Sequence, residues 1–132
     1  AASEAIESVS IEVMWTQQGE QLVPRGDAFA ALKGDGSVVT WGSARYGGDS
    51  SSVADQLLAD VQHVYRSDGA FAALKRDGNV VCWGDPELGG DCSMVASQLT
   101  SGVVRIAATG SAFAAIKSDG TVVTWGDPAR GG

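Results

Sequence analysis

Histidine is almost missing from this chain: His63 is the only one in 132 residues, and Cys82 and Cys92 are the only cysteines. A zinc site draws four ligands from these residue types, so this inventory excludes a zinc or histidine-based metal centre, and no metal or cofactor is expected. Scarcity of bases also bears on catalysis. Serines are plentiful, but no base and orienting acid stand at recognisable positions beside them, so no catalytic residue is assigned and the chain is not read as an enzyme. Cations are few as well. Nine Lys and Arg stand against 16 Asp and Glu, a net charge of −7, and they are scattered from Arg25 to Arg130. Nucleic-acid binding rests on clustered cations that neutralise phosphates, so it is excluded. No apolar run approaches the ~18 residues of a membrane-crossing helix, and no transmembrane helix is expected.

What the chain has instead is repetition. Ala-Phe-Ala-Ala-Leu at 28–32 returns at 70–74, and as Ala-Phe-Ala-Ala-Ile at 112–116, each copy 42 residues after the last. The spacing holds for every marker: Phe29, Phe71 and Phe113; Asp35-Gly36, Asp77-Gly78 and Asp119-Gly120; Trp41, Trp83 and Trp125; Gly47-Gly48, Gly89-Gly90 and Gly131-Gly132. A fixed period of this size means stacked supersecondary units, none able to bury its apolar face alone. The 18 glycines fall mostly at the repeated turns. The chain divides into an acidic N-terminal arm, 1–18, and a three-repeat domain, 19–132, with units of about 19–60, 61–102 and 103–132.

Within each unit an apolar run meets Asp-Gly and then a β-rich run such as Val-Val-Thr-Trp, which predicts a β-hairpin. A two-residue Asp35-Gly36 turn would set Leu32 against Val39 and Ala30 against Trp41, giving one fully apolar face and one mixed face. Alanine where bulkier residues would fill a sheet predicts close approach of neighbouring sheets. A further apolar segment precedes each hairpin (Leu22-Val23, Val61–Tyr65, Val103–Ala107) and predicts a third strand antiparallel to the first hairpin strand. After the Gly-Gly pair, Ser52 or Ser93 followed by apolar residues four apart predicts a short capped helix. Asp49 and Asp91 are read as helix-start residues. The fold class is mainly β: three units of three antiparallel strands with a short helix, arranged as a partial propeller arc or closed as a three-sided prism.

The pattern Ala-Phe-Ala-Ala-Leu-Lys-x-Asp-Gly-x-Val-Val-x-Trp-Gly followed by Gly-Gly resembles the repeats of the regulator of chromosome condensation family, over roughly 19–132. It is also similar to the short-repeat propeller of a β-lactamase inhibitory protein, and most of all to the 42-residue repeats of dinoflagellate algal proteins. The resemblance implies a propeller-type scaffold that acts through its loops. It implies a non-catalytic interaction module with protein partners, such as a peripheral subunit of a photosystem and its light-harvesting antenna. The alternative is a fragment of a larger propeller that regulates a GTPase or a ubiquitin ligase. The chain begins Ala-Ala-Ser, small residues that fit removal of a transit peptide, and the expected place is the chloroplast, lumen or stroma.

Several residues remain to be weighed. Val9, Ile11, Val13 and Trp15 alternate with polar residues and predict a strand in the arm, with Trp15 a candidate partner contact, although Ala5, Ile6, Val9 and Val13 also fit a helical stripe. Cys82 and Cys92 are ten apart, and both a disulfide and two free thiols are open. The three Trp-Val pairs are read as core packing. Arg25-Gly26-Asp27 spells an adhesion tripeptide but falls at a variable position of the repeat.

Overall fold

The computed structural model describes residues 28–132. The arm with Trp15, the Leu22-Val23 segment and Arg25-Gly26-Asp27 lie outside the described residues. Within them, β1 (Ala28–Leu32) and β2 (Val38–Gly42) form a hairpin; β3 (Val61–Arg66), β4 (Ala70–Lys75) and β5 (Val80–Gly84) form a second sheet; β6 (Val103–Ala108), β7 (Ala112–Lys117) and β8 (Val122–Gly126) form a third. Every pairing is antiparallel, in sequence order. The extra strand ahead of the hairpin is therefore present in units two and three.

The turn corrects the expected register. Lys33 N–H donates to Ser37 O at 2.8 Å and Gly36 N–H to Lys33 O at 3.0 Å, with Gly36 at φ 85°. A tight turn followed by a left-handed glycine is a three-residue hairpin loop with a bulge, not the two-residue turn. Pairing moves by one residue: Phe29 faces Trp41, Ala31 faces Val39 and Leu32 faces Val38. Such a slip exchanges faces. The faces change membership, with Phe29, Ala31, Val39 and Trp41 on one side and Ala28, Ala30, Leu32, Val38 and Thr40 on the other. Asp35 suits the turn because its Oδ1 accepts the Ser37 N–H at 3.0 Å; Asp77 and Asp119 accept from Asn79 at 3.0 Å and Thr121 at 2.9 Å.

Both faces are used. Phe71, Ala73, Val81 and Trp83 pack back onto Ala28, Ala30, Leu32, Val38 and Leu57 of unit one. Phe113, Ala115, Val123 and Trp125 pack back onto Ala70, Ala72, Leu74, Val80 and Leu99 of unit two. The alanines leave room for the neighbouring Phe–Trp pair, in which the rings stack with centroids 5.3 to 5.4 Å apart in all three units. The units are thus consecutive blades of an open arc. The prism is overturned, because closing it would cover the outer faces of units one and three, where Trp41 and Val122 stay exposed.

The segment after each Gly-Gly pair also differs from expectation. Ser51–Leu57 and Ser93–Gln98 are 3-10 helices, and Val53 at φ −124° breaks the first into two turns. Ser52 and Ser93 do not cap them. Asp49 and Asp91 close their starts, each Oδ1 accepting the N–H two residues on at 2.9 Å. Short polar segments favour such tight turns as connectors, and here they deliver Leu57 and Leu99 to the core, both buried.

Candidate interaction surface

Each unit ends in a corner. Ala44–Tyr46, Pro86–Leu88 and Pro128–Arg130 are single 3-10 turns, closed by Gly47, Gly89 and Gly131 at φ 106°, 103° and 104°. In units two and three Asp-Pro opens the turn: Asp85 and Asp127 accept from the N–H of Glu87 and Ala129 at 2.9 Å, and proline fits the first helical position. Unit one has Ser43 there, with no side-chain cap.

The corners join one unit to the next. Trp83 Nε1–H donates to Gly47 O and Trp125 Nε1–H to Gly89 O, both at 3.1 Å and both buried. A Cβ on Gly47 would lie 2.5 Å from the Phe71 ring, and one on Gly89 2.5 Å from the Phe113 ring. Each Gly-Gly corner is therefore a socket for the Phe–Trp pair of the following unit. Arg45 adds a charged link: its Nε lies 3.2 Å from Asp85 Oδ2, whose side chain is only 6% exposed, and this contact raises the Arg45 pKa. Asp85 spends its other oxygen on the cap, so one buried carboxylate ties two units together.

The turn between the first two strands of a unit meets these corners. Ser67 Oγ donates to Leu88 O at 2.6 Å, Asp68 N–H to Gly110 O at 2.9 Å, and Asp85 N–H to Gly69 O at 2.9 Å. Between corners and turns lies a cleft of about 490 Å³ whose walls include Tyr46, Leu88, Thr109, Asp68, Asp85, Glu87, Asp127 and Arg130; Asp85 is paired with Arg45 and Asp127 with Arg130, Nε to Oδ2 3.6 Å in the latter. Four carboxylates against the guanidiniums of Arg45 and Arg130 leave this face with more acidic than basic groups, as the whole chain has.

Among the described residues no three His, Cys, Asp or Glu side chains gather as a metal site. His63 sits on β3 beside Tyr65, ring centroids 6.0 Å apart, away from the acidic cleft. Cys82 and Cys92 are joined as a disulfide, Cα atoms 6.2 Å apart. They occupy the positions where Thr40 and Ser50 of unit one hydrogen-bond, Oγ1 to Oγ at 2.8 Å, so a covalent strut in unit two stands where unit one has a non-covalent one. Trp83 and Trp125 are core residues, whereas Trp41 is exposed. Sequence reasoning missed Asp85, Asp127 and the Ser67 turn; the repeated Trp-Gly-Asp-Pro at 83–86 and 125–128 was the available signal.

Three consecutive antiparallel blades, locked through aromatic pairs and glycine corners, define a partial β-propeller with repeats like those of the regulator of chromosome condensation. No family model and no curated protein matches the chain. Among solved structures it is similar to human WBSCR16, at 24% identity and TM-score 0.52, over 75% of this chain and 32% of that one. It is similar as well to yeast RCC1 (Prp20), solved with Kap60 bound, at 18% identity and TM-score 0.51, over 75% of this chain and 27% of that one. The chain spans about a third or less of the length of these proteins, and the likeness is one of fold.

Proposed function

We propose that this chain is a non-catalytic interaction module that takes a basic protein segment on its corner face. The observation that carries the reading is the acidic cleft of about 490 Å³, built from corners and turns held by capped backbone and cross-unit hydrogen bonds. A rigid rim of this kind presents charge without an ordering cost. The propeller fold supports the reading, since a protein of the same fold, yeast RCC1, is solved with Kap60 bound. For the partner, a subunit of an organellar assembly such as a photosystem with its antenna follows from the sequence resemblance to the dinoflagellate repeats, as does chloroplast residence. A second reading, a fragment of a larger propeller that regulates a GTPase, is favoured by the share of the similar propellers that the chain spans.

The test is native purification from the source with the wild-type chain and with Glu87→Lys as bait. A partner held in fixed stoichiometry, lost on Glu87→Lys and weakened as salt screens the contact, is the expected result. A partner bound equally by both, at any salt, contradicts a basic segment in the cleft.

A further inference from the structure

Two straps cross from one unit to the next. Ser51–Leu57 leaves unit one and brings Val53 and Leu57 onto Phe71, Val81 and Trp83 of unit two. Ser93–Gln98 leaves unit two, lies against β8, and with Leu99 brings Val95 onto Phe113, Val123 and Trp125 of unit three. The two are fastened differently where they start. On the first strap Thr40 Oγ1 lies 2.8 Å from Ser50 Oγ and donates to Gly48 O at 3.1 Å. On the second the fastener is the Cys82–Cys92 disulfide. At its far end Leu99 is buried, and its carbonyl accepts the Val80 N–H at 2.9 Å. Between these points the strap is lightly held: none of Ser93–Gln98 is buried, and Met94 is 97% exposed.

The disulfide can be reached from outside. Cys82 is 9% exposed, but Cys92 is half-buried, and both border a cavity of about 380 Å³ whose other walls include Val53 and Gln56 of the first strap. Unit one shows a hairpin and a strap built without a sulfur bridge, with two hydroxyls in its place. Hydroxyls bond well to one another and thiols weakly, so cleaving the disulfide leaves the blade standing and the strap unfastened.

We propose that Cys82–Cys92 is an exchange site for a dithiol, and that its cleavage frees the strap between units two and three and so loosens the Trp125 junction. A thiolate of the dithiol attacks Sγ of Cys92, the S–S bond breaks, and Cys82 leaves as a thiolate that takes up a proton. The second thiol, deprotonated in turn, attacks the reductant's own sulfur in the mixed disulfide and releases Cys92. Two electrons pass to the chain, and the reductant ends as its own disulfide. A monothiol stops at the mixed disulfide, where Cys82 stands ready to close the bond again. The junction of units one and two, with Trp83 on Gly47, is fastened by hydroxyls and does not respond. None of this depends on the acidic cleft or on a partner bound there.

The test uses the 132-residue chain with dithiothreitol as the probe, free thiols being alkylated and counted by mass. Without denaturant, both cysteines are expected to become free. Indole N–H exchange is then followed by nuclear magnetic resonance over a series of urea concentrations below the unfolding transition. In the oxidised chain Trp83 and Trp125 exchange together, through global unfolding. In the reduced chain Trp125 is expected to exchange at least about tenfold faster than Trp83, at a rate insensitive to urea, the mark of a local opening. Cys82→Ala with Cys92→Ala should show the same split without reductant, and Cys82→Thr with Cys92→Ser should restore equal protection. A disulfide reduced only once urea unfolds the chain overturns the proposal. So does a reduced chain in which both indoles still exchange alike, since the bridge then acts on the whole fold and not on the strap.

Discussion

Gly89 has its φ at 103°, and the space a Cβ would take is filled by the Phe113 ring at 2.5 Å. Alanine there meets backbone strain and a displaced aromatic ring together, so Gly89→Ala should cost about 3 kcal/mol. Gly131 has nearly the same φ and nothing within 4 Å, so Gly131→Ala should cost distinctly less. Urea unfolding of both variants measures the difference, and equal losses would mean that φ, not the socket, sets the cost. The turn carboxylates supply a second residue-scale test. Hydroxyl and backbone N–H donors at Ser37, Ser51, Ser93 and Thr121 hold Asp35, Asp49, Asp91 and Asp119 below the ordinary carboxylate range. Because the folded pKa values are depressed, these bonds stabilise the protein above the unfolded value of about 3.9 and are lost as pH falls through the folded values. The unfolding midpoint should therefore drop below about pH 4, and the fourfold Asp→Asn chain should show a flatter profile. Identical profiles for the two would contradict the assignment.

Units one and two are each braced between the last strand and the start of the 3-10 segment that follows. In unit two the brace is the Cys82–Cys92 disulfide, closing a loop of sequence separation 10. Loop-closure entropy for a ring of that size is worth about 2–3 kcal/mol. Reduction should lower thermal stability accordingly. Cys82→Thr with Cys92→Ser, which rebuilds the Thr40–Ser50 pair of unit one, should keep more stability than the double alanine variant; calorimetry of the three forms decides it. Much of this element was legible beforehand. A period of 42 held by Phe, Asp-Gly, Trp and Gly-Gly marked the unit, and the extra strand followed from the apolar run before each hairpin. Loop length was not legible, because Asp-Gly serves both a two-residue turn and the end of a three-residue loop, and that single residue decides which face Trp41 shares. The Gly-Gly pairs were visible in the sequence, but their role as sockets was not. They join an indole to a backbone carbonyl 36 residues away, and a carbonyl has no side-chain signature.

At the scale of the whole molecule, the arc is one contact used repeatedly. An aromatic pair and a glycine corner on opposite sides of a blade set the direction in which one unit follows the next. The acidic corner face runs across these junctions, since Asp85 both caps its own corner and binds Arg45 of the preceding unit. Weakening a junction should therefore loosen the cleft as well as the core. The most direct measurement is exchange of the indole N–H protons with solvent, followed by nuclear magnetic resonance. Trp83 and Trp125, bonded to Gly47 and Gly89, should be protected until the protein unfolds, and Trp41 should exchange freely. Comparable exchange at all three would contradict the corner-and-aromatic junction as what holds the blades together.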